Sequence, residues 1–195
     1  VDSSMIVVVG HGFGGTLAHR IAKASDGVFS AVIMVGSTAL SYEDYLLGHS
    51  NLSSHTADEL KAYQDTLDKL SKMKEQTALE NTETVLGHSV YYFWELQKIN
   101  NYELIRKLRL PTYIVQGKKD PLVPENEGWR QYNNKIGEGV KYVTYRSFPG
   151  LNHVLMSDSS TDAYGLPQYT ENATLDISAG RSIGQWILSL KSTAE

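Results

Sequence analysis

The sequence predicts an α/β protein with a mostly parallel sheet, flanking helices and a helical cap insertion. Two observations carry that reading. β-Branched, apolar runs recur as Met5-Ile6-Val7-Val8-Val9, Ala31-Val32-Ile33-Met34-Val35 and Thr112-Tyr113-Ile114-Val115-Gln116. Continuous runs of this kind suit strands covered on both faces, the habit of parallel sheets. Between the first two runs lie a glycine-rich turn and a helical pattern, so residues 1–37 form a strand–turn–helix–strand unit and a parallel pair.

Each element follows from its own residues. After Gly10-His11-Gly12-Phe13-Gly14-Gly15, the positions Leu17, Ala18, Ile21 and Ala22 fall on one helical face, and Ser25-Asp26-Gly27 stops the helix. Residues 40–108 are longer than an ordinary connection between a strand and a helix. Thr56 and Glu59 predict a capping box, and Leu60, Tyr63, Leu67, Leu70 and Met73 keep helical spacing. Val90 to Trp94 adds an aromatic cluster, and Tyr102 to Leu108 predicts a short amphipathic helix. This stretch is expected to be a helical cap within a single domain of residues 1–195.

The α/β pattern then resumes. Pro111 precedes the run at 112–116, Gly117-Lys118-Lys119-Asp120-Pro121 makes a turn, and a helix is expected around Glu125 to Ile136. Val140 to Tyr145 alternates as a further strand. Phe148-Pro149-Gly150-Leu151-Asn152-His153 is a loop. Residues 157–174 are polar and read as structureless. Ile183, Trp186, Ile187 and Leu190 mark a closing helix.

Composition narrows the function classes. The 195 residues are 41% hydrophobic and 21% charged, an ordinary globular balance with room for one sizeable core. The net charge of −4 argues against a nucleic-acid binder, whose affinity rests on phosphate neutralisation. The absence of cysteine removes disulfide scaffolds, zinc ribbons and thiol nucleophiles. No apolar run reaches the ~18 residues of a membrane helix, so no membrane partner is expected. No metal-ligand spacing such as H-E-x-x-H occurs, and no metal is expected. The chain opens on Val1 almost directly into a strand, which suggests that upstream sequence has been removed; compartment, cytoplasmic or secreted, stays open.

The glycine turn supports two chemistries. Glycines 10, 12 and 15 match G-x-G-x-x-G between a strand and a helix, the dinucleotide-binding pattern. Residues 10–14 also match G-x-S-x-G, the nucleophile elbow, except that Gly12 stands at the serine position. Downstream residues separate the two. A dinucleotide site wants an acid at the end of the second strand, yet that strand ends Val35-Gly36-Ser37. A hydrolase wants an acid after a later strand and a histidine after the next, and Asp120 and His153 stand in that order.

Taken together, VVVGHGFGG, LPTYIVQGKKDPLVP and FPGLNHVLM resemble the C-terminal half of an α/β-hydrolase domain. They are most similar to bacterial esterases of the dienelactone-hydrolase and S9-peptidase-like branch. The resemblance implies that the strands here are the fifth to eighth of the family sheet. It implies Asp120 as the triad acid and His153 as the general base, with the Phe13 backbone N–H as one oxyanion donor. Gly12 at the nucleophile position implies a preserved fold without the nucleophilic oxygen, a pseudoenzyme. No cofactor is implied.

The same residues have plainer readings. Asp120 before Pro121 suits a turn, and His153 alone suits a loop histidine. His11 and His19 read as structural, with a place in the substrate pocket as the sharper alternative for His11 beside the elbow. Tyr91, Tyr92 and Trp94 read as core, with a substrate pocket as the sharper alternative. Asn51-Leu52-Ser53 and Asn172-Ala173-Thr174 fit the glycosylation pattern and carry no weight at this length.

Three functions follow for test. The first is an esterase or acyl-hydrolase family member that is inactive as written. The second is a binding or scaffolding relative that holds an ester, acyl or peptide ligand without turnover. The third is a dinucleotide-binding domain using Gly10, Gly12 and Gly15. An apolar first strand with a bare edge invites pairing, so Met5–Val9 is expected to meet either an upstream half or a second copy of the chain.

Overall fold

The computed structural model describes residues 5–41, 44–45, 56–85, 87–157, 174 and 176–191. Asn51, Asn172 and most of the polar stretch expected at 157–174 lie outside them. In chain order the elements are β1 (Val7–His11), α1 (Phe13–Ala24), β2 (Ala31–Val35), α2 (Ala57–Leu70), α3 (Glu75–Glu80), β3 (Thr84–Val85), β4 (His88–Ser89), α4 (Val90–Gln97), α5 (Asn101–Leu108), β5 (Thr112–Gly117), α6 (Trp129–Ile136), β6 (Val143–Phe148) and α7 (Ile177–Lys191). They fall into two compact units: Val1–Ala39 with Asn101–Glu195, and Leu40–Asn100.

The first unit holds a parallel sheet in the order β1-β2-β5-β6. The fold class predicted from the sequence is the one observed. β2 and β5 lie inside the sheet and are buried along their whole length. Their side chains alternate between two cores, as a period of two requires. Val32, Met34 and Ile114 join Ala18, Ile105, Tyr132 and Ile136 on one face. Ile33, Val35, Tyr113 and Val115 join Phe148, Leu151, Leu155 and Ala179 on the other. Burying each of these large apolar side chains contributes about 1.5–3 kcal/mol.

The first run departs from expectation. It does not lie covered on both faces: β1 stands at the end of the sheet, Val9 is 59% exposed and Ile6 39%. The cause is position in the sheet, which composition does not encode. Two boundaries also move. β6 starts at Val143 rather than Val140, because Thr112 sets its register by pairing with Val143. α6 starts at Trp129 rather than Glu125, because the Gln116 side chain accepts the Trp129 N–H at 2.9 Å and so caps the helix there. α5 packs against α1 within the sheet-bearing unit.

The second unit is helical. Thr56 and Glu59 form the reciprocal capping box at the start of α2. Tyr63, Leu67 and Leu70 of α2 pack with Val90, Phe93 and Leu96 of α4, and β3 and β4 make a small antiparallel ribbon. Among the described residues no helix is long and apolar enough to cross a membrane.

One buried residue makes the fold acid-sensitive. His19 of α1 is fully buried, and its Nε2 lies 2.9 Å from Thr112 Oγ1. Burial lowers its pKa from 6.5 to about 4. The unfolded chain therefore takes up a proton near pH 6.5 that the folded chain refuses until about pH 4. The stability from neutral His19 is complete above the unfolded pKa and is lost as pH falls towards the folded one. That loss amounts to about 3 kcal/mol. Urea denaturation from pH 7 to pH 4 is expected to show it, and a His19→Gln variant is expected to flatten that slope.

Candidate active site

The ends of three parallel strands build the site. Gly12 follows β1, Asp120 follows β5 and His153 follows β6, all at the carboxyl ends of their strands. Ligands of parallel α/β sheets bind at that edge.

Gly12 turns the chain from β1 into α1 with φ 55 and ψ −125. Side chains rarely adopt such a φ, and residues held there are characteristic of functional turns. Its N–H donates to Val35 O at 2.8 Å, and its carbonyl accepts from Gly15 N at 3.0 Å. Phe13 opens α1, so its backbone N–H sits at the positive end of the helix. The turn also requires close packing: a Cβ on Gly15 would lie 2.7 Å from Ser37 Cβ.

Asp120 combines both of its readings. One carboxylate oxygen accepts the N–H groups of Leu122 and Val123, each at 2.9 Å, which closes the turn. The other lies 2.8 Å from His153 Nδ1. Both side chains are buried, that of Asp120 completely. Three contacts thus fix a carboxylate that burial alone would penalise. With the Asp120 carboxylate as acceptor, the pairing favours the tautomer with its proton on Nδ1, which leaves a lone pair on Nε2.

His153 Nε2 faces the elbow. A Cβ built on Gly12 would lie 3.3 Å from it, a close contact that puts any side chain at this position against the imidazole. His11, on the other side of the elbow, places its Nε2 3.0 Å from the His153 carbonyl oxygen, with the two rings 4.5 Å apart. The structure thus brings together Gly12, Phe13, Asp120, His153 and His11.

Two supporting residues escaped the sequence reading. Asn152 accepts the N–H groups of Val154 and Met156 at 3.1 and 3.0 Å, holding the loop that carries His153. Gln116, buried at the end of β5, donates to the Val123 carbonyl and accepts from Trp129 N, bracing the Asp120 turn from within. An Asn beside a loop histidine was the available signal for the first. A lone polar residue at the end of an apolar strand was the signal for the second.

The chain matches no family model. The esterase EstD of Thermotoga maritima is 24% identical over 196 residues, covering 96% of this chain and 43% of the esterase. The monoacylglycerol lipase of Paleococcus ferrophilus superposes with a TM-score of 0.52 at 16% identity, over 95% of this chain and 69% of the lipase. The chain has the α/β-hydrolase fold. An α/β fold family hydrolase of Bacillus anthracis str. Sterne aligns at a TM-score of 0.41 and 19% identity, over 77% of this chain and 61% of that one. The chain spans less than half the length of the esterase it matches.

Within this α/β-hydrolase fold, the aromatic residues singled out in the sequence lie in the helical unit and have partners there. Tyr91 stacks on Trp94 at 5.7 Å, Tyr92 stacks on His88 at 4.7 Å, and Trp94 Nε1 donates to Met73 O at 3.1 Å. A cavity of about 250 Å³ in that unit is lined instead by Tyr63, Leu67, Phe93, Leu96 and three polar residues. Among the described residues no group of three or more His, Asp and Glu side chains could hold a metal ion.

Asn152 offers a direct check of the loop. An Asn152→Ala variant removes both N–H contacts and is expected to cost about 1–3 kcal/mol. Thermal unfolding followed by circular dichroism measures it, and an unchanged Tm would show that the loop is held by other contacts.

Proposed function

We propose that the chain is an α/β hydrolase of the esterase or acyl-hydrolase type whose catalysis is silenced at Gly12. The single observation that carries this is the alignment of Asp120, His153 and the elbow. Asp120 lies 2.8 Å from Nδ1, and Nε2 lies 3.3 Å from the Cβ place of Gly12. In such a constellation the histidine takes the proton of the attacking hydroxyl and later returns it to the leaving group, while the aspartate holds the tautomer. The Phe13 N–H at the start of α1 would stabilise the oxyanion. The acid and the base of the triad are in place, and the attacking oxygen is not.

The same geometry favours this reading over a dinucleotide site. The His153 imidazole stands in front of the glycine turn, and β2 ends at Val35 without a carboxylate to hold a ribose. Within the proposal, the native chain retains an ester, acyl or peptide ligand at His153 without turning it over. The dienelactone-hydrolase and S9-peptidase-like branch is the finer assignment, resting on the LPTYIVQGKKDPLVP and FPGLNHVLM segments. The exposed edge at Val9 supports pairing of β1 with another strand, from upstream or from a second copy.

The test is gain of function. A Gly12→Ser variant should hydrolyse short p-nitrophenyl esters, and adding His153→Ala should abolish the gain. An inert Gly12→Ser variant that folds like the native chain would refute the reading.

A further inference from the structure

Gly36 follows β2 directly, and its N–H donates to Val115 O of β5 at 2.9 Å, so the sheet fixes its place. It is buried and has φ 54, in the left-handed region that L side chains avoid. Conformation is only part of its constraint. A Cβ on Gly36 would lie 3.1 Å from both Nδ1 and Cε1 of His153 and 3.2 Å from the His153 carbonyl oxygen. Carbon atoms in ordinary contact stand at about 3.5–4.0 Å, so the imidazole would have to give way.

The imidazole is poorly placed to do so. His153 is 8% exposed. Its Nδ1 lies 2.8 Å from Asp120, whose carboxylate is held by the Leu122 and Val123 N–H groups. Its carbonyl oxygen lies 3.0 Å from His11 Nε2. A side chain on Gly36 would therefore press the very nitrogen that binds Asp120. A Cβ on Gly12 would instead reach Nε2 and Cε1 of the same ring. Two glycines at the carboxyl ends of neighbouring strands thus border the imidazole, Gly36 at Nδ1 and Gly12 at Nε2.

We infer, on the hydrolase reading of this site, that Gly36 is a positioning residue for the base. Its missing side chain lets the loop after β6 bring His153 against the end of β2 and leaves Nδ1 free to close on Asp120. The role is separate from that of Gly12. Gly12 decides whether an attacking oxygen exists, and Gly36 decides whether the base beside it is held.

The test uses the full 195-residue chain with isotope-labelled histidine and reads the Nδ1–H proton of His153 by NMR, assigned by its loss in His153→Gln. This signal needs no turnover. Gly36→Ala is expected to abolish it. Gly139→Ala is the control, because Gly139 also has a positive φ, of 72, and a Cβ there would meet nothing within 4 Å among the described residues. It carries the backbone strain alone and should leave the signal in place. In the Gly12→Ser background, Gly36→Ala should lower kcat at least about tenfold, with KM held within about twofold, as misplacement of a base requires. A folded Gly36→Ala chain that keeps the Nδ1–H signal overturns the inference, and so does loss of the signal in Gly139→Ala. Should Gly36→Ala fail to fold, the double variant Gly36→Ala/His153→Ala decides: an obstructing imidazole predicts that it folds, and failure of both overturns the inference. If Gly12→Ser is inert while Gly36→Ala alone loses the signal, the positioning role stands and the proposed function falls. If Gly12→Ser is active and Gly36→Ala keeps the signal, the proposed function stands and the positioning role falls.

Discussion

Gly12→Ser is expected to raise the rate of p-nitrophenyl ester hydrolysis by roughly 10²–10⁴-fold, the range that a positioned general base supplies to an attacking group. The expectation rests on distance. A Cβ at this position would lie 3.3 Å from His153 Nε2, so the new hydroxyl stands against the imidazole once that ring shifts by a few tenths of an ångström. Two controls bind the gain to the site. His153→Ala removes the proton acceptor. Asp120→Asn should cost about 10⁴ in the serine background, because an amide cannot hold the imidazole with its proton on Nδ1. The gain carries a cost in stability. Gly12 sits at φ 55, and a side-chain-bearing residue there is strained by about 1–3 kcal/mol. The variant should therefore be more active and less stable at once, which paired assays of initial rate and urea midpoint would show.

Gly117→Ala is expected to destabilise the fold by about 3 kcal/mol, the upper range of forced overpacking. In the Gly12→Ser background it should lower kcat more than it raises KM. Gly117 ends β5 opposite Phe148 of β6. Beyond that pair the two chains stay stitched: Lys118 N donates to Phe148 O and Lys119 N to Leu151 O, each at 2.9 Å. A Cβ on Gly117 would overlap the Leu151 and Asn152 carbonyl oxygens and lie 2.6 Å from the Leu151 carbonyl carbon. These atoms are backbone and cannot rotate away. The loop carrying His153 must then move off the turn carrying Asp120, loosening the pair. For a chain of this size the Tm should fall by about 6–12 °C. A Tm within a degree or two of the native value would show that the two loops separate without cost.

The two effects differ in how they could be read from the chain. Gly12 stands out in the sequence, because a strand, a glycine-rich turn and a helix are all local patterns. Asp120 before Pro121 and His153 after Asn152 are likewise turn and loop chemistry written within a few residues. Gly117 carries no such mark: its constraint comes from carbonyls more than thirty positions away. The same holds for Gln116, whose partners at Val123 and Trp129 meet it only once the loop has folded back. The aromatic cluster at Val90 to Trp94 was legible, but packing against α2 buried Phe93 and turned it, rather than Tyr91 or Trp94, to the cavity.

The sequence alone determined the alternation of strands and helices, the α/β class, and the order of Gly12, Asp120 and His153 along the chain. These are short-range properties, set by side-chain period and turn geometry. Tertiary structure decided the rest. It made β1 an edge, buried β2 and β5 on both faces, and set the registers that shifted β6. It also joined Asp120 to His153 across 33 positions and His11 to the His153 carbonyl across 142. Strand order determines which distant residues share a sheet edge, and an interaction between side chains depends on that distance in space, whatever their separation along the chain.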